Sequence, residues 1–100
     1  MKLYMYTYRF NEFTEKEIEC EEKPAIYRIN FDQHCYYRVV RKDQIGTVLG
    51  TFEEDVFLIE KDISKAASIL LESQKRKFER KEKELEKIKD KIAYLETVAN

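Results

Sequence analysis

The sequence predicts an α+β domain: an antiparallel sheet of about four to six strands over residues 1–61, then one long helix over residues 62–100. Three observations point there. Residues 2–10 alternate between two sets of side chains, short aromatic and β-branched runs recur between turn residues up to residue 60, and neither Pro nor Gly occurs from residue 51 to the end. Period two means strand, and a long stretch free of both breakers, rich in Ala, Leu, Glu and Lys, means helix.

In chain order, Tyr4, Tyr6, Tyr8 and Phe10 alternate with Leu3, Met5, Thr7 and Arg9, a strand with one aromatic face. Asn11 to Glu15 turns the chain. Glu17, Glu19 and Glu21 then alternate with Ile18, Cys20 and Glu22, giving a second strand with a wet acidic face, and the two form a hairpin. Pro24 has no ladder donor and ends that strand. Ala25, Tyr27, Ile29 and Phe31 alternate in a third strand, and after a turn at Asp32 to His34 the run Cys35 to Val40 makes a fourth. Lys42 to Gly46 is a single helical or tight turn, with Asp43 placed to cap it and Gly46 able to take a left-handed conformation. The runs 47–52 and 56–60, divided by Glu53, Glu54 and Asp55, form a last hairpin.

Asp62 is the expected N-cap of the helix, which at 1.5 Å per residue would be roughly 54 Å long and would outrun the sheet. Positions 67, 71, 74, 78, 81, 85, 88, 92, 95 and 99 alternate in steps of four and three, the spacing of a coiled-coil seam. They hold Ala67, Leu71, Gln74, Phe78, Lys81, Leu85, Ile88, Ile92, Leu95 and Ala99, wholly apolar from Leu85 onwards. Around Ile63, Ala66, Ala67, Ile69, Leu70 and Leu71 the apolar arc is wider, as expected where a helix packs on a sheet. The first third is therefore expected to cover the sheet. Phe78, Leu85, Ile88, Ile92 and Leu95 are expected to pair with a second copy of the chain, giving a homo-oligomer.

Charge narrows the function. Charged residues make up 39% of the chain, but residues 1–61 hold nine basic and twelve acidic side chains and residues 62–100 ten and eight, so neither half is strongly basic. Phosphate-backbone binding needs a basic surface, which makes nucleic acid an unfavoured partner. Without an apolar run of 18 residues or a leader pattern, the expected place is the cytoplasm, with no membrane association. In that reducing setting Cys20 and Cys35 are expected as free thiols.

Motifs of familiar chemistry are lacking. Gly46 and Gly50 belong to no phosphate-binding loop, so no nucleotide cofactor is expected. His34, Cys35 and Cys20 give three metal ligands at most, which predicts no metal site. His34 and Cys35 are adjacent on an expected strand and would face opposite ways, which prevents a nucleophile–base pair. Glu17, Glu19 and Glu21 read as a solvent face. The set with binding chemistry is Tyr27, Arg28, Tyr36, Tyr37, Arg38 and Arg41: guanidinium forks suit phosphate or carboxylate, and tyrosines offer stacking faces. The alternative is a sheet whose tyrosines pack under the helix while its arginines pair across strands with the three glutamates. For the Tyr4, Tyr6, Tyr8 and Phe10 stripe, core is the expectation.

The opening Met1 to Tyr8, the stretch Glu21 to Tyr27, the Lys42 to Gly46 turn and Phe57 to Asp62 leading into a Lys/Glu helix resemble short proteins carried by phages and prophages of low-GC Gram-positive bacteria. The resemblance spans most of the chain and carries no enzyme motif. It implies a phage setting more than an activity, and by analogy with small accessory proteins of that setting the expectation is counter-defence in the host cytoplasm, either gripping a host defence protein or sequestering a nucleotide second messenger as a sponge. The expected function is thus a non-catalytic oligomeric binding protein. A structural or assembly protein using its coiled coil, and a small nucleic-acid binder, are the alternatives.

Overall fold

The computed structural model describes residues 1–100. Strand β1 (Lys2–Arg9) turns through Phe10 and Asn11, both at positive φ, into β2 (Glu12–Glu22). Their register pairs Leu3 with Ile18 and Tyr8 with Phe13. β3 (Ile26–Ile29) and β4 (Val39–Arg41) extend the sheet beyond β2, and a 3₁₀ turn (Lys42–Gln44) leads to β5 (Val48–Leu49) and β6 (Asp55–Leu58). β6 pairs with the free edge of β1, so the order is β4-β3-β2-β1-β6-β5, antiparallel throughout. Helix α1 spans Ile63–Ala99. The α+β class expected from the sequence is the one observed.

Alternation distributes the apolar side chains over both faces. One face gathers Leu3, Ile18, Cys20, Tyr27, Ile29, Val40 and Phe57, roofed by Met5, Cys35, Tyr37, Ile45 and Leu49. The other gathers Tyr6, Val56 and Leu58 beneath Ala66 and Leu70 of the helix. Tyr6, Phe57, Leu3, Ile18, Val40 and Val56 are fully enclosed. Burying an aliphatic side chain contributes about 1.5–3 kcal/mol, so this small two-sided core supplies most of the drive to fold.

The sheet differs from expectation at two places. Cys35 to Val40 is not a strand: only Val39–Arg41 pairs with β3, and residues 30–38 form a connection across the sheet. The apolar residues there are roof, with Cys35 and Tyr37 dipping into the core while Tyr36 stays out, so they obey packing and not a pleat. In the 3₁₀ turn the capping side chain is Gln44, whose Oε1 accepts the Arg41 N–H at 2.8 Å, and Asp43 instead pairs with Arg41. Gly46 does take a positive φ, 76°.

At the helix start the Asp62 side chain accepts the Lys65 N–H at 3.0 Å, and the Asp62 N–H donates to the buried Tyr6 hydroxyl at 2.9 Å. Both bonds satisfy donors that a helix N-terminus leaves without partners. The helix packs on β6, β1 and β5. Its buried residues are Ala66, Leu70 and Ser73, a narrower line than expected, because Ile63 and Leu71 remain about half exposed. Beyond Ser73 the helix leaves the sheet. The radius of gyration, 19.2 Å, exceeds the roughly 13 Å of a compact 100-residue domain, and the longest dimension is 66 Å. No helix is long and apolar enough to cross a membrane.

Candidate functional site

The six arginines and tyrosines singled out by the sequence do not converge. Tyr27 and Val40 are opposite one another and point into the roofed core, where Lys42 Nζ lies 5.4 Å from the Tyr27 ring centroid. Arg28 is one residue on, so the pleat turns it to the other face, opposite Glu21 across the β2–β3 ladder. Arg38 precedes β4 with its guanidinium 5.5 Å from the ring centroid of the exposed Phe31. Arg28, Arg38 and Phe31 border one open depression with Glu21 and Asn30. Arg41 is engaged with Asp43 at 3.2 Å. Tyr36 and Tyr37 border a separate hollow with Arg9, Gly50, Phe52 and Asp55.

The arginines do not pair with the acidic row as the cross-strand alternative required. Glu17 is bonded to Lys2 at 3.2 Å and Glu21 to Lys23 at 2.8 Å. These are exposed pairs, each contributing at most about 1 kcal/mol. The helix packs over β6, β1 and β5, so the β2–β3–β4 end of that face presents Glu17, Glu21, Arg28 and Arg41 to solvent.

Near the second hollow lies a polar cluster that the sequence does not announce. Asp55, 5% exposed, accepts from Thr7 Oγ1 and Tyr37 Oη, each at 2.7 Å. Gly50 makes room for it: at φ +97° a Cβ there would lie 3.2 Å from both Asp55 Oδ2 and Tyr37 Oη. Burial, then the Asp55 carboxylate, pushes the Tyr37 phenol well above its ordinary range. Burial also raises the Cys35 thiol, so it is not an activated nucleophile, and the exposed His34 stands at positive φ on a loop. Both cysteines are free, and no group of three His, Cys, Asp or Glu is placed to hold a metal.

The largest apolar features lie on the helix side. Beside the β1–β2 tip a cavity of about 610 Å³ is bordered by Tyr8, Phe10, Phe13, Phe52, Leu70 and Leu71, with Gln74 and Lys77 at its end. Phe10 is 93% exposed and Phe52 67%. Phe10 also takes φ 53°, a region disfavoured for bulky residues, so this aromatic is held out at an energetic cost. Tyr8 and Phe10, expected in the core, belong to this cup; Tyr6 alone of the stripe is fully buried. The clue in the sequence was that Phe10-Asn11 occupies a two-residue tip, with no room to bury a ring. Further along, Phe78, Leu85, Ile88, Ile92 and Leu95 are all at least half exposed on one stripe of a helix with nothing against it.

No protein-family model, curated protein or solved structure matches the chain.

Proposed function

We propose that the protein is a non-catalytic binding protein that works as a homo-oligomer, its C-terminal helix joining copies through a coiled coil. The observation that carries this is the exposed stripe: Phe78 and, one heptad on, Leu85, Ile88, Ile92 and Leu95 in steps of three and four are 50–66% exposed in the single chain. Soluble chains rarely leave a contiguous apolar strip of this size in water unless it is an interface. Residues between them are charges of both signs, the pattern of a helix with one greasy seam and a solvated remainder.

The separation of the arginines from the tyrosines favours recognition of a protein surface over capture of a small ligand. Small-molecule sites combine their polar groups with stacking faces, and no tyrosine borders the Arg28–Arg38–Phe31 depression. The phage counter-defence setting is supported by the sequence resemblance. The raised Cys35 thiol and its exposed His34 neighbour support a role without catalysis.

Sedimentation equilibrium tests the proposal. The wild-type chain should have a multiple of 12.1 kDa in the micromolar range, and Leu85→Asp/Ile92→Asp should return it to a monomer with the sheet intact. A 12.1 kDa wild-type particle at every concentration would sink the self-association. Calorimetry with cyclic and ADP-ribose-derived nucleotides tests the second part: saturable heat with any of them would move the reading to nucleotide capture.

A further inference from the structure

The seam and the aromatic cup are one surface. Ala67, Leu71 and Gln74 are seam positions, and all three border the cavity beside Phe10 and Phe52, so any helix that follows the seam toward the sheet runs into the cup. Which part of a second copy arrives there depends on the direction of pairing. Resting on the self-association proposed above, we infer that two copies pair antiparallel, with residues 74–99 of each lying along the other, and that the partner's Val98 abuts the outer end of the cup.

The flanking charges fix the register. Seam layers in an antiparallel pair match one helix's Leu85 with the partner's Ile88, Phe78 with the partner's Leu95, and Gln74 with the partner's Ala99. The residues beside the seam then meet with opposite signs at each charged pair: Lys75 with the partner's Glu96, Glu82 with the partner's Lys89, and Glu84 with the partner's Lys91. Slipping by one heptad sets Lys89 against the partner's Lys89, and like charges repel. A parallel, unstaggered pair also matches its flanking charges, so charge alone does not choose the direction.

Lys81 chooses it. It stands on the seam between Phe78 and Leu85, so a parallel pair would put two ammonium groups in one core layer. Antiparallel pairing sets Lys81 against the partner's Ile92, where the lysine stem packs and the charge reaches water. The cup gives the second reason. In the antiparallel register the partner's Val98, 66% exposed in the single chain, falls beside Lys77 at the cavity's end, and the partner's Leu95, 61% exposed, covers Phe78. A parallel pair would instead bring residues 67–74 there, from a helix already packed on its own sheet. The antiparallel dimer also sets the two sheets at opposite ends of a rod, which suits bivalent capture.

Cysteine cross-linking decides the direction. In a Cys35→Ser background, Gln74→Cys/Ala99→Cys should form a disulfide-linked dimer under mild oxidation, while Ala99→Cys and Gln74→Cys alone, and that background with its buried Cys20, should not. Cross-linking of Ala99→Cys by itself means parallel pairing and overturns the inference, as does a dimer by sedimentation in which the double variant fails to link. A parent that sediments as a monomer sinks the self-association itself. Val98→Asp tests the contact at the cup separately, because this side chain is 66% exposed in the single chain and supports no core. The dimer dissociation constant should rise about tenfold or more with the far-ultraviolet spectrum of the fold preserved. An unchanged constant removes the cup from the interface.

Discussion

Replacing Tyr6 by Phe would isolate a single hydroxyl that ties the sheet to the helix. The ring is fully buried and stacks on Phe13 at 5.9 Å between centroids, and Phe keeps both features. What is lost is the acceptor for the Asp62 N–H at 2.9 Å, at the residue that caps the helix. Leaving such a donor without a partner costs about 1–3 kcal/mol. Taking about 2 kcal/mol, Tm should fall by about 10 °C for a domain of this size.

The pH dependence adds a signature that a simple packing defect would lack. Burial, and then Glu15, pushes the Tyr6 phenol up to about 12 from an ordinary 10.0. A raised value means stability that is complete below the unfolded value and lost as pH climbs through the folded one, so Tyr6 contributes to unfolding between pH 10 and about 12. On the acid side the Tyr6 hydroxyl is the chief cause, with Lys61, of a Glu15 carboxyl held below its ordinary 4.5. That contribution is present above 4.5 and disappears as pH falls below it. Urea unfolding by circular dichroism, at one fixed protein concentration, should show Tyr6→Phe less stable at neutral pH and flatter at both extremes. A variant as stable as the parent at neutral pH, with unchanged acid and alkaline limbs, would refute the role given to this hydroxyl.

Other substitutions test other joints of the fold. Asp55→Ala strands the Thr7 and Tyr37 hydroxyls and should cost about 2–4 kcal/mol in urea unfolding. Gly50→Ala places a Cβ at φ +97° against Asp55 and Tyr37 and should destabilise by about 1–3 kcal/mol, read from the thermal midpoint. Asp62→Ala loses the bond to the Lys65 N–H, about 1 kcal/mol, with the same readout. Leu70→Ala opens a cavity between helix and sheet and should cost about 2–5 kcal/mol, detaching the helix before β1 and β2 separate, as hydrogen exchange would show.

The elements at either end of the chain were legible because local rules suffice there. Alternation over Lys2–Arg9, the breaker-free run after Asp62 and the cap at Asp62 each state their structure within a few residues. Residues 30–38 were not legible, since Cys35 and Tyr37 are apolar for the sake of the sheet beneath them and not for a ladder of their own. The binding set suffered from the same cause. Arg28 and Tyr27 are neighbours in sequence and opposite in space, and the loop carries Tyr36 and Tyr37 away from Arg28. The Asp55 cluster joins residues 48 positions apart in the chain, a proximity that only the β1–β6 pairing creates. The exposed stripe on the helix was the one surface whose composition and geometry coincide.

The position of β1 between β2 and β6 has a consequence for how the chain is made. A nascent chain can assemble β1 to β4 as a meander while residues 55–58 are still inside the ribosome, and during that interval the outer amides and carbonyls of β1, flanked by Tyr4 and Tyr6, have no ladder to join. An open edge of that kind is where strands of neighbouring nascent chains add to one another. Synthesis must therefore carry β6 and the first turns of the helix clear of the ribosome before the molecule can protect its own middle, and a pause that leaves residues 1–50 outside the ribosome should raise the aggregated fraction more than one that leaves residues 1–75 outside.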